Sequence, residues 1–458
     1  MKTTVRLNIV AVLPVCATLS SVTAEGNTYT VTSTSGSPST SGSLPWAVAQ
    51  ANSHDGLDFI NFNISGGGIH VITISTTLFL NDQVVINGAT QPGYSGAPLI
   101  YVQGSANVTS LMLLQQQSSV STIQGLGFYD YTSNAITILV ASQGNWIQNN
   151  YIGFYWDGAG TPILNSTLFP FTRGIGIQSS FNTVRNNTIS GVDNAIVVGE
   201  DPSQAWSGVA YKTNAIQYNR IGTNPAGTTA VGFGNTSDGV FLGAGGSQNF
   251  IGPGNVLSGM ASSGVELFHS SVVGNVVFAN MIGVDAAGTT AIPNKELGVL
   301  LANGANGNAV GGPWGGNVIS ANTFGGVSLG TTLPAGFTGA ANGNWVQNNI
   351  IGLDANQGAS LGGQQVGISI NSGSTRNAVT GNVLSGNTQH GAILGNVVTN
   401  SVSSNFIGMT STGGSAPNGA FGIYFLNASY NYAIGNSFGT NGSGNIGSSS
   451  TSCCNVIQ

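Results

Sequence analysis

The chain has 458 residues, of which 8 are Lys or Arg and 14 are Asp or Glu; 41% are hydrophobic and 70 are glycine. Nucleic-acid and other polyanion binding is excluded, because it needs basic stripes that displace counterions. Beyond residue 24 the only cations are Arg173, Arg185, Lys212, Arg220, Lys295 and Arg376, spaced far apart. Disorder is excluded as well, since disordered chains pair low hydrophobicity with high charge. Glycine at about twice its usual frequency, with abundant Asn, Ser and Thr, predicts many short strands joined by tight turns.

In chain order, Lys2 and Arg6, an apolar run over 7–15 and Val22-Thr23-Ala24 before Glu25 predict a signal peptide over 1–24 and a secreted or surface-exposed protein. No later run approaches the ~18 apolar residues of a membrane span. Cys453 and Cys454 are adjacent, so a bridge between them would be strained and no disulfide framework supports the fold. Residues 25–133 read as an N-terminal cap and first coils. A strand over 28–34 is followed by Ser43, which can cap a short helix whose Leu44, Trp46, Ala47, Val48 and Ala51 would cover an open core end.

From 134 to 440 the chain repeats. Segments such as Gly239-Val-Phe-Leu, Gly264-Val-Glu-Leu, Gly298-Val-Leu-Leu and Gly367-Ile-Ser-Ile alternate apolar with variable residues, the period of a half-buried strand. Two further short elements, each opened by Asn, lie between them. One set includes Asn145, Asn214, Asn275, Asn344 and Asn400; the next reads Asn-X-Ile-Gly at Asn150, Asn219, Asn280, Asn349 and Asn405, with a sister set ending in Ser at Asn187, Asn255, Asn317 and Asn382. Three strands per turn with Gly or Asn at the corners describe an all-β fold, a single-stranded right-handed parallel β-helix solenoid with a short N-terminal capping helix. Short and long coils alternate, and asparagines stacked coil on coil can satisfy one another's amides. Thirteen or so coils would make a rod of roughly 60 Å, and residues 441–458 read as a C-terminal tail.

The run Tyr29-Thr-Val-Thr-Ser-Thr, Gly42-Ser-Leu with its Ala-rich helix to Asn52, Asp58-Phe-Ile-Asn-Phe and Thr90-Gln-Pro-Gly-Tyr-Ser-Gly resembles the start of bacterial secreted β-helix repeat proteins. The Ile-Gly-X-Asp and Gly-Asn-Val-Ile/Leu-Ser-Gly repeats are similar to theirs throughout. The resemblance implies the β-helical architecture and a place among adhesin-like surface components and glycan-active enzymes. Pro45 stands where that family has an arginine, so no role is carried over to that position.

On the repeating strand the variable residue faces outward. Down the stack it reads Thr137, Gly176, Ile196, Phe241, Glu266, Leu300, Ser328, Ser369, Ile393 and Tyr424; a single carboxylate argues against a calcium-dependent lyase face with clustered acidic ligands. The residue before the strand reads Arg173, Asp193 and Asp238 in successive coils, a column with neighbours about 5 Å apart, with Glu266 and His269 on the next coil. Two readings are open: a corner stack in which Arg173 neutralises Asp193, or a carboxylate pair at the ~5 Å separation of retaining glycosidases. Charges gather nearby, including Asp157, Arg185, Glu200, Asp201, Lys212 and Arg220.

Asp285 and Asp354 recur in the Ile-Gly-X-Asp loops and read as Asx-turns, with separate weak structural calcium sites as the alternative. His54, His70 and His390 have no companion ligands in sequence, so no metal site and no cofactor is expected. Tyr155, Trp156, Trp206 and Tyr211 fall in loops, where they suit either stacking on sugars or packing within the loops. Trp146 and Trp345 follow a corner Asn in equivalent strands and are expected to pack beneath a loop. The leading functional expectation is a secreted, adhesin-like or neutral-glycan-binding protein with a polysaccharide partner. The alternative is an enzyme on an uncharged or weakly acidic polysaccharide, using Asp193 and Asp238 with Arg173, Glu266 or His269. A mechanical surface-layer rod is a third reading.

Overall fold

The computed structural model describes residues 26–105, 108–156, 163–164, 172–231, 238–331 and 339–458. Residues 1–24, the expected signal segment, and Asp157 lie outside them. Short apolar runs between Asn or Gly corners can extend for only two to six residues, and each coil accordingly lays down three brief strands, as at Val276–Val277, Met281–Ile282 and Leu297–Ala302. Like strands of successive coils pair in parallel, building a first sheet of 15 strands and second and third sheets of 13 strands each. The fold is the expected right-handed parallel β-helix. Among the described residues no helix is long and apolar enough to cross a membrane.

The interior is a set of aliphatic stacks. On the first sheet Ile147, Val184, Ile216, Ile251, Val277, Val310 and Val346 are fully buried, one above another. Three amide ladders run beside these stacks. Asn275 Nδ2 donates to Asn308 Oδ1 at 2.9 Å, Asn280 Nδ2 to Asn317 Oδ1 at 3.0 Å, and Asn294 Nδ2 to Asn322 Oδ1 at 2.8 Å. The Ile-Gly and Ser variants of the second set alternate within one ladder, for Asn255 Nδ2 donates to Asn280 Oδ1 at 2.9 Å. Each ladder answers the polar groups that a buried corner would otherwise leave without partners.

The glycine near the start of many third-sheet strands is required by close approach: a Cβ on Gly298 would stand 2.6 Å from the Gly326 carbonyl oxygen, and one on Gly367 2.4 Å from that of Gly391. Long coils carry hairpin loops that stack on alternate coils, with Ala355 N–H donating to Gly288 O at 2.8 Å. Asp285 Oδ1 accepts from Thr289 N and Thr290 N at 2.8 and 3.0 Å, and Asp354 Oδ1 from Gly358 N and Ala359 N at 2.6 and 3.2 Å, so each carboxylate closes its loop four and five residues on, a wider closure than the expected Asx-turn.

Helix Leu44–Ala51 covers the N-terminal end, burying Leu44, Pro45, Ala47, Val48 and Ala51, while Trp46 meets Tyr29 edge-on. Ser43 Oγ accepts from Trp46 N at 3.1 Å and donates to Ser37 O at 2.7 Å. Ser43→Ala should cost about 1–2 kcal/mol, read as a lower urea midpoint. At the other end the expected tail is the last coil: Gly444–Ser448 and Val456–Ile457 add strands to the third and first sheets.

Candidate active site

Successive side chains of a strand face opposite ways, so each outward position of the third sheet becomes a column. One column runs Asn134, Arg173 and Asn194, and then Asp238, whose N–H donates to Asn194 Oδ1 at 3.1 Å. This corrects the expected column. Asp193 lies one residue earlier, in the turn, where its N–H meets Thr172 O at 3.0 Å; Asn194 holds the place between Arg173 and Asp238. The Asp193–Asp238 carboxylate pair is therefore not formed as expected. The next outward column runs Thr137, Gly176, Val197, Phe241, Glu266 and Leu300, so Val197 replaces Ile196, which points into the core.

Glu266 thus sits between Phe241 on one neighbouring coil and Leu300 on the other, at the margin of a small apolar patch of Phe268, Leu300 and Ala302. Its carboxyl adjoins that of Asp238, close enough for a hydrogen bond when one of the two is protonated. Asp238 is only 3% exposed and accepts from Ser263 N at 3.0 Å. Two carboxyls can hydrogen-bond only if one keeps a proton, and the surroundings say which. Burial among apolar neighbours pushes Glu266 well above the usual carboxylate range, and the charge and hydrogen bond of Asp238, then the charge of Glu296, push it further. Burial also raises Asp238, but hydrogen bonds from Glu266, Ser263 and Ser262 pull it back. Both carboxyls are raised, Glu266 the further, so Glu266 is the one that keeps its proton to higher pH, as happens where two carboxyls have unlike surroundings.

A carboxyl raised on folding binds more protons in the native than in the unfolded state, so stability falls as pH rises from the unfolded carboxylate range through the raised native value. A melting-temperature series across that interval should fall with pH in the wild type and flatten in Glu266→Gln.

Six of the 14 acidic residues, Asp193, Glu200, Asp201, Asp238, Glu266 and Glu296, gather on or beside this face. Burial lowers the Arg173 guanidinium, while Asp201 and Asp193 act to keep it charged; its Nε has no hydrogen-bond partner among the described residues. Burial works to raise Glu200, but hydrogen bonds from Ser207 and Tyr211 outweigh it and hold the carboxyl below its ordinary range. Tyr211 is 2% exposed and its hydroxyl, pushed up to about 12 by burial and by Glu200, lies 2.5 Å from Glu200 Oε1. It serves as a buried brace for the loop, not a platform for a sugar ring. Trp206 in the same loop is exposed and stands 6.2 Å, centroid to centroid, from the His269 ring. His269 Nδ1 accepts from Ser271 N at 3.1 Å, and burial lowers the imidazole, leaving it neutral at pH 7.

Tyr155 and Trp156 belong to another face. Tyr155 packs 4.8 Å from Tyr101 and 5.7 Å from Tyr129, and Trp156 stacks on Tyr151 at 6.2 Å, over the second sheet. Tyr101 can lie there only because the next coil offers Gly127, whose Cβ would fall 2.1 Å from the ring. Trp146 and Trp345, expected beneath loops, are 37% and 44% exposed. The sequence reading missed Glu296. It occupies the turn position of Asp193, is exposed, accepts from Ser262 Oγ at 3.3 Å and acts electrostatically on Asp238 and Glu266. Its one signal was its place directly before the Leu297-Gly298 strand.

No protein-family model and no curated protein sequence matches the chain. Solved structures similar to it include DFA-IIIase from Arthrobacter chlorophenolicus A6 in complex with GF2, at TM-score 0.45 and 14% identity over 83% of each chain. The A-module of Azotobacter vinelandii mannuronan C-5 epimerase AlgE4 is similar at TM-score 0.39 and 11% identity, over 91% of this chain and 93% of that one. The catalytic domain of a GH87 alpha-1,3-glucanase is similar at TM-score 0.39 and 13% identity, over 92% and 69%. At these identities and scores the likeness concerns the β-helical path of the chain and carries nothing about its chemistry.

Proposed function

We propose that the chain is a secreted hydrolase of a neutral polysaccharide, with Glu266 as its general acid. The observation that carries this reading is the Asp238–Glu266 pair: two adjoining carboxyls on neighbouring outward columns, both raised by burial, with Glu266 between Phe241 and Leu300. Cleavage of an acetal needs a proton for the departing oxygen and a carboxylate to activate water, and this face supplies both without a metal or a nucleophilic side chain. Glu266 donates its proton to the glycosidic oxygen as the C–O bond breaks. Water adds to the anomeric carbon and gives its proton to Glu296, the exposed carboxylate of the cluster, from which solvent returns a proton to Glu266. Asp238, buried and holding Ser263 N–H, is a positioning residue that keeps the proton on Glu266. Exposed Trp206 offers a flat apolar surface at the side of this face. The low charge of the chain favours an uncharged substrate.

The test is release of reducing ends from a panel of neutral polysaccharides. The wild type should release them from at least one polymer; a protein that releases none from any of them does not have this activity.

A further inference from the structure

The first sheet carries a second pattern, on a face apart from the acid pair. Its leading outward column holds Phe59, Trp146, Phe250, Trp345 and Tyr432, each 37% to 45% exposed. The strand register places them at strict intervals of three coils. Thr183 and Ala215 separate Trp146 from Phe250, Val276 and Ala309 separate Phe250 from Trp345, and Ala378 and Ser401 separate Trp345 from Tyr432. Two coils, at Val85 and Thr122, also lie between Phe59 and Trp146. At ~4.8 Å per coil the rings recur every ~14 Å along the rod. Smaller side chains between them leave each ring standing as a ridge.

The neighbouring outward column is rich in amides and hydroxyls, among them Gln124, Gln148, Gln217, Gln347 and Thr380, with Gly311 and Ile434 as apolar members. Gln148 Nε2 donates to Gln124 Oε1 at 2.7 Å, and Arg185, the charged member of this column, lies over the Trp146 ring at 4.5 Å. At one ridge the pattern deepens into a hollow of about 460 Å³ walled by Trp314 and Trp345 and floored by Val276 and Ala309. It adjoins a second, polar hollow of about 390 Å³ at Asn306, Asn342, Thr375 and Arg376, with Gly307 common to both.

We propose that this face binds a neutral, extended polysaccharide lying along the rod axis. Each sugar ring has an apolar C–H face and a rim of hydroxyls, and the face pairs a column of flat apolar rings with a column of hydrogen-bonding amides. An extended sugar chain advances by close to one coil per residue, so a ring every third coil meets every third sugar. A protein partner would need no such period, and a charged polymer would find almost no counter-charge. The site is separate from Glu266 and shares with the proposed activity only the class of ligand.

The test is co-sedimentation of the full chain with particulate cellulose, chitin, mannan and (1,3)-linked glucans. The wild type should bind at least one of them. Trp314→Ala with Trp345→Ala should weaken that binding by about tenfold or more, Trp345→Phe should largely retain it, and Glu266→Gln should bind as the wild type does. Circular dichroism checks that the exposed Trp→Ala variants keep the wild-type strand content. Failure of the wild type to bind any polymer overturns the proposal, as does binding indifferent to the double substitution. Light scattering that shows this face joining two copies, lost in the double variant, overturns it in favour of self-association. Retention of binding without hydrolysis would sink the enzymatic reading alone.

Discussion

Glu266→Gln should lower kcat on the responsive polysaccharide by about 10²–10⁴-fold with little change in KM, because the amide keeps the shape between Phe241 and Leu300 but has no proton to give. Asp238→Asn should act differently. Asp238 touches Glu266 and Ser263 N–H, and its charge is one of the forces holding the Glu266 proton in place. Without that charge the Glu266 pKa falls. The basic limb of the kcat profile, where activity disappears as the acid ionises, should then move to lower pH while activity at the acid end is largely kept. An unshifted limb in Asp238→Asn would mean that Asp238 does not set the state of Glu266.

The second large effect concerns the amide ladders. Asn280→Leu should cost roughly 3–5 kcal/mol, measured as a lower urea midpoint. Asn280 Nδ2 donates to Ile251 O at 2.9 Å and Asn317 Oδ1 at 3.0 Å, and its Oδ1 accepts from Asn255 Nδ2 at 2.9 Å. Leucine is of similar size but ends all three bonds at once, leaving the Ile251 carbonyl with Phe278 N–H as its one remaining donor and the Asn255 amide with Ile216 O as its one remaining acceptor. Asn436→Leu should cost much less, on the order of 1 kcal/mol, because Asn436 ends the same ladder at a half-buried place where water can serve the orphaned groups. Equal losses at the two positions would contradict the ladder as the reason the corners are Asn.

The architecture was legible because alternation and corner chemistry repeat. Apolar residues two apart say which side chains enter the core, and Asn at fixed corners says where strands stop, so Asn145 and its successors could be aligned without a structure. What alternation cannot set is the register between coils, which depends on turn length. The turn at Val192-Asp193 has no repeat to compare with; Asp193 was aligned with Arg173, when Asn194 is the residue that sits there. The same slip put Ile196 outside and Val197 inside. Glu266 was placed correctly, since Gly264-Val-Glu-Leu follows the common pattern, but its pairing with Asp238 crosses two columns and shows only in three dimensions. Glu296 was passed over because it lies in a turn and not on a strand. Trp146 and Trp345 were expected under loops because both follow a corner Asn in equivalent strands; the three-coil period that makes sense of their exposure spans more than 80 residues per interval and emerges only from the full register.

The central claim is that one carboxyl on this outward face keeps its proton at neutral pH beside an ionised partner. Infrared difference spectroscopy of the wild type against Glu266→Gln at pH 7 tests it most directly. The account predicts a protonated-carboxyl C=O band in the wild type that is lost in Glu266→Gln and weakened in Asp238→Asn. A wild-type spectrum with no such band at pH 7, every carboxyl being ionised, would contradict it.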